Sequence, residues 1–62
     1  MTDKLQAYRQ CMSEKMTGKK FDTREDRWKE FCIQAKICSM RAKDRDEAIK
    51  LCKEAHPDWR WE

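Results

Sequence analysis

Apolar side chains recur at helical spacing in three stretches, separated by short polar connections. Leu5, Tyr8, Met12 and Met16 lie three or four residues apart and share one face of a helix over residues 3–17. Thr2 or Asp3 stands where an N-cap belongs, and Gly18 where a left-handed residue closes the helix. The second stretch, over residues 23–40, begins after Asp22 or Thr23, with Asp26 three residues beyond Thr23 in a capping pattern. At about 100° per residue its apolar positions form two faces. Trp28, Phe31, Cys32, Ala35, Cys38 and Ala42 gather on a broad one, and Ile33, Ile37 and Met40 fall nearly opposite. A helix that is apolar on two sides is sandwiched between neighbours, which makes this the central element. The third stretch, over residues 45–56, starts at Asp44 or Asp46 and stops before Pro57. Its Ala48, Leu51, Cys52 and Ala55 face inward, with Ile49 at the margin.

Short connections predict antiparallel neighbours, hence an all-α fold, a small three-helix bundle in one domain over residues 1–56. A Trp-containing tail, residues 57–62, follows it. Composition sharpens this picture. One Gly, one Pro and no Val or Asn leave little for strands and tight turns, while the helix formers Lys, Arg, Glu, Ala and Met dominate. A chain of 62 residues that is 39% hydrophobic and 44% charged has a thin core. Chains of this size add disulfides, a metal or a partner to reach stability. The six aromatic residues and the regular apolar spacing argue against a solvated, disordered chain.

Cys11, Cys32, Cys38 and Cys52 are therefore the most informative residues. Cys32 and Cys38 lie about 9 Å apart along a continuous helix, beyond the roughly 7 Å that a disulfide spans, so each needs a partner elsewhere. Folding the first helix back about residue 20 places Cys11 level with residue 29, and folding the third back about residue 42 or 43 places Cys52 level with residues 32 to 34, with Cys38 one turn away as its alternative partner. Cys32 is thus claimed from both sides. The expected pairing is Cys11–Cys32 with Cys38–Cys52. The alternative is a zinc site built from Cys11, Cys32, Cys52 and His56, and a third reading keeps all four as buried free thiols. The gaps of 20, 5 and 13 residues contain no C-x-x-C pair, and they do not match the twin-cysteine helical hairpin proteins.

The net charge of +3 arises entirely in residues 1–21. Lys15, Lys19 and Lys20, next to Phe21, form a basic corner that can meet phosphates or simply solvate a helix end. In the tail, Trp59 and Trp61 can stack on bases beside Arg60, anchor a protein partner, or fold back over the core. Ile33, Ile37 and Met40 either pack against the third helix or form an interface.

One His, no glycine-rich phosphate loop and no paired nucleophile and base leave no basis for an enzyme or a small-molecule substrate. The first residues lack the apolar segment of a secretory signal, and no window reaches the roughly 18 apolar residues of a membrane span. The expected setting is cytoplasmic or within a virion or other assembly, since small, charge-dense, cysteine-bearing chains are common among viral and mobile-element proteins. The expected function is a helical interaction or structural module that binds a protein partner or itself through Ile33, Ile37, Met40, Trp59 and Trp61. The alternatives are a nucleic-acid-binding accessory using Lys15, Lys19, Lys20 and Arg60, and a zinc-stabilised module.

Overall fold

In a computed structural model that describes residues 3–61, the chain forms α1 (Lys4–Met16), α2 (Arg24–Cys38) and α3 (Arg45–Ala55). Each helix starts at a side chain the sequence offered as a cap. The Asp3 carboxylate accepts from the Gln6 N–H at 2.7 Å, the Thr23 hydroxyl from Asp26 at 3.0 Å, and the Asp44 carboxylate from Glu47 at 2.9 Å. Each such cap contributes about 1 kcal/mol by satisfying a donor the helix leaves open. Thr2, the alternative cap for α1, lies outside the described residues.

The helix ends are equally local. Gly18, just past α1, has φ +82°, the left-handed conformation that lacks a steric penalty only for glycine. After α2, the Met40 N–H donates to the Ile37 carbonyl at 3.0 Å and the Arg41 N–H to the Lys36 carbonyl at 2.9 Å. That pair of bonds is a Schellman closure with Met40 in the left-handed position at φ +63°.

The bundle is open. α1 and α3 each pack on α2 but, among the described residues, not on each other. The molecule measures 40 × 24 × 15 Å, and part of α2 stays uncovered, with Trp28 and Phe31 52% and 42% exposed. α2 is the central element, as its two apolar faces predicted. α3 lies across it, because both Arg45 at its start and Cys52 two turns later reach the Glu30–Ile33 stretch. Antiparallel neighbours were expected here. The chain instead turns at Met40 and runs back through Ala42, itself buried, before α3 begins.

The core consists of Ile33, Ala42, Ala48 and Cys52, flanked by Cys32, Ile37, Ile49, Leu51 and Trp61. All of these belong to α2, α3, their connection and the tail. α1 supplies one buried side chain, Met12, which is not part of that cluster.

Both disulfides anchor on α2, but the pairing differs from the expected one. Cys11 bonds to Cys38 and Cys32 to Cys52, with Cα separations of 5.7 and 6.2 Å. Cys11–Cys32 and Cys38–Cys52 do not form. The level expected for Cys52 included its true partner, whereas the level expected for Cys11 was displaced by nine residues, about 13 Å of helix. The cause is the connection between α1 and α2. It is not a tight turn but a strap, with extended backbone at Thr17 and Thr23, that runs beside the first half of α2. Lys19 meets Glu30 from this strap. The strap slides α1 along α2, so that Lys4, Leu5 and Tyr8 border Cys38, Ser39 and Met40. The bridges close loops of 27 and 20 residues in sequence separation, and each contributes about 3 kcal/mol in the chain-entropy account.

A non-glycine residue in the left-handed region carries a steric penalty, and the Met40 side chain is 89% exposed, so it gains little packing in return. Met40→Gly is therefore expected to stabilise the fold by about 0.5–1 kcal/mol, net of the added unfolded-state entropy of glycine. Thermal unfolding of the oxidised protein measures this, with a rise in Tm as the expected outcome.

Candidate functional site

Of the five residues expected to bind a partner, one is core and another flanks it. Ile33 is 3% exposed and offers no docking surface, and Ile37 is half-buried against the same cluster. They pack inward because α3 lies on this face of α2. Met40, from the same predicted stripe, lies past the end of α2 and points into solvent.

The tail folds back. Trp61 packs on the core, and its Nε1–H donates to the His56 carbonyl at 3.1 Å. Trp59 stacks on the His56 ring, with centroids 3.9 Å apart and planes within 10°, and lies 5.5 Å from Trp61. The Lys29 ammonium sits 5.8 Å from the Trp61 ring centroid, close enough for a cation–π attraction. One face of each tail tryptophan is thereby engaged within the chain.

The zinc alternative is not assembled. Cys11, Cys32 and Cys52 are all bonded in disulfides, and His56 stacks on Trp59. Among the described residues no three Cys, His, Asp or Glu side chains converge as metal ligands. The residues of the nucleic-acid alternative are only partly brought together. Lys15 and Lys20 are exposed, while Lys19 is paired with Glu30. Arg60 and Trp61 border a cavity of about 310 Å³ shared with Phe21, Glu30 and Arg45.

The strongest electrostatic feature is one that periodicity does not reveal. Glu30, a charged residue only 9% exposed, collects four donors. Arg45 binds it through both guanidinium arms, at 2.8 and 2.9 Å, while Lys19 contacts it at 2.9 Å and Gln34 at 2.6 Å. The Arg45 hydrogen bonds outweigh the opposing effect of burial, and with Gln34 and Lys19 they hold the Glu30 carboxyl well below the usual carboxylate range. The same contact pushes the Arg45 guanidinium up. This node ties the strap, α2 and the start of α3 together at a single carboxylate.

The uncovered flank of α2 carries the candidate surface. Trp28 and Phe31 are 52% and 42% exposed and meet edge to face, with ring centroids 6.0 Å apart at 72°. Arg24 and Arg27 join them around a cavity of about 340 Å³. The same two arginines border a neighbouring cavity of about 470 Å³ with Met16, Lys19 and Phe21. Among the described residues the ion pairs are Lys19–Glu30 and Arg45–Glu30, and neither uses Arg24 or Arg27. Periodicity placed Trp28 and Phe31 on the broad inward face. The signal against burial was present: at spacings of three, four and seven, Arg24, Arg27, Trp28 and Phe31 share one face, so two fixed charges stood among the apolar positions. The surface can supply an aromatic anchor and two planar, carboxylate-matching cations.

Because its folded-state pKa is lowered, Glu30 contributes stability that is fully present above the unfolded carboxylate value, near pH ~4.3. That contribution is lost as pH falls through the folded-state value. Glu30→Gln is expected to lower stability at pH 7 by about 1–2 kcal/mol, discounted because Lys19 and Arg45 are partly solvated. It should also flatten the acid limb of the stability profile below pH ~5, which denaturant titrations at a series of pH values would show.

The chain matches no protein-family model, no curated protein and no solved structure.

Proposed function

We propose that this chain is a small non-enzymatic interaction module. Its two bridges hold α2 as a stiff presenting element, and Trp28, Phe31, Arg24 and Arg27 form the surface that docks a protein partner. The carrying observation is the exposure of Trp28 and Phe31 side by side on the helix to which both disulfides are anchored. Two large aromatics left half-exposed in a chain this short of core residues forgo about 2–3 kcal/mol of burial, and such a patch in a soluble domain marks an interaction site. Trp and Arg are also the side chains that dominate interface energetics.

The chemistry of the patch selects the partner. Arg24 and Arg27 favour an occupant with carboxylates placed around an apolar side chain. A second copy of this chain, with net charge +3, brings its own arginines to the contact and is disfavoured. An oxidising setting, such as an exported route or an assembled particle, suits a fold that relies on two disulfides. The nucleic-acid alternative has weaker support, since Lys19 is committed to Glu30 and the tail tryptophans to His56, each other and the core.

The test is a peptide-display selection against the immobilised oxidised protein. Recovered peptides are expected to combine Asp or Glu with an aromatic or aliphatic residue. Their affinity should fall by about 30-fold or more in Trp28→Ala, the equivalent of a hot-spot residue. Arg24→Glu with Arg27→Glu should abolish binding. Peptides indifferent to all three changes would sink the reading, and tight, salt-sensitive binding of single-stranded oligonucleotides in the same assay would favour the alternative.

A further inference from the structure

The two disulfides sit in different environments. Cys52 is fully buried in the core cluster, and Cys32, itself half-buried, packs against that cluster. Cys11 and Cys38 are both half-buried, and Cys38 borders an open cavity of about 520 Å³. Lys4, Leu5, Tyr8, Ser39 and Met40 form much of its rim.

The helices they secure differ as well. α3 shares a buried core with α2 and holds Glu30 through Arg45. α1 contributes no residue to that core and, among the described residues, no ion pair. Its only buried side chain is Met12, and Leu5 is 56% exposed. A 13-residue helix with one buried residue is too short to persist alone in water.

We propose that Cys11–Cys38 is a reducible latch that holds α1 on the fold, while Cys32–Cys52 is a permanent staple. The reductant is a dithiol, either a small molecule or the exposed pair of a thioredoxin-like protein. One thiolate of the dithiol attacks the Cys38 Sγ through the open cavity, which Lys4 makes favourable to an anion. The S–S bond breaks, Cys11 leaves as a thiolate and takes up a proton, and a mixed disulfide forms at Cys38. The second thiol of the reductant, deprotonated, then attacks its own partner sulfur and releases Cys38, which is protonated in turn. Two electrons pass from the dithiol to the bridge. The products are two protein thiols and one oxidised dithiol. In the Cys32–Cys52 bridge the core closes off Cys52 and leaves only the half-buried Cys32, packed against that core, open to attack.

Release of α1 leaves the α2–α3 core intact. It also frees the edge of α2 at Cys38, seven residues and two turns beyond Phe31 on the same face. The latch itself does not depend on the docking role of that face.

Limited reduction of the full chain with dithiothreitol, quenched by an alkylating reagent at intervals and read by peptide mass, tests this. A species alkylated at Cys11 and Cys38 but not at Cys32 and Cys52 should accumulate, with the first bridge opening about tenfold faster or more. The double variant Cys11→Ser with Cys38→Ser serves as a mimic that needs no reductant. Its α1 amides should exchange as in an unfolded segment while those of α2 and α3 remain protected. Simultaneous opening of both bridges, or earlier opening of Cys32–Cys52, would overturn the proposal. So would protected α1 amides in the double variant, or loss of protection throughout it.

Discussion

Both sulfur bridges leave the same helix, from Cys32 toward α3 and from Cys38 toward α1, and the arrangement of the molecule follows from that. Six residues of helix separate the two anchor points by about 9 Å, so the neighbours attach at different heights. α3 crosses near the middle of α2 and shares its core, while α1 is drawn toward the C-terminal end. The bridges are interleaved: each closes a loop that contains one cysteine of the other. The unfolded chain therefore loses freedom over nearly its whole length between Cys11 and Cys52. A core of four small or medium side chains, three of them Ala or Cys, is poor in apolar area, and the covalent links offset that shortage.

The Glu30 node acts in the same direction with different physics. A carboxylate so little exposed is costly unless its lone pairs are filled, and here three side chains from three segments fill them. Lys19 fixes the strap and Arg45 fixes the start of α3. The node thus helps set the two positions that a hairpin-like reading mistakes, the slide of α1 and the crossing of α3. Charge here works less as a source of net stability than as a device for choosing one arrangement among several.

An open arrangement of three helices leaves a flank of the central helix bare, and this chain places Trp28 and Phe31 there, with Arg24 and Arg27 beside them. By contrast, the tail tryptophans, equally suited to binding in sequence, are drawn inward by a ring stack on His56, a hydrogen bond and contact with the core. The same residue type is thus presented in one place and consumed in another. The difference lies in whether a neighbouring element is present to cover it.

The sequence alone determined what is local. Helix positions, to within two residues at every boundary, follow from spacing and caps. Asp3, Thr23, Asp44 and Gly18 act at the sites read for them, because a cap or a left-handed turn involves only a few neighbouring residues. The centrality of α2, read from its two apolar faces, rests on the same helical period. Tertiary structure decided what depends on the paths of the connections. The strap of residues 17–23 and the reversal at Met40 set the register of α1 and the crossing of α3. They thereby chose Cys11–Cys38 and Cys32–Cys52 over the other pairings, turned Ile33 and Ile37 toward the core, and exposed Trp28 and Phe31. A helix period specifies which residues share a face but not which face meets a neighbour. That choice is made by contacts distant in sequence, such as Lys19 and Arg45 on Glu30, which no local pattern records.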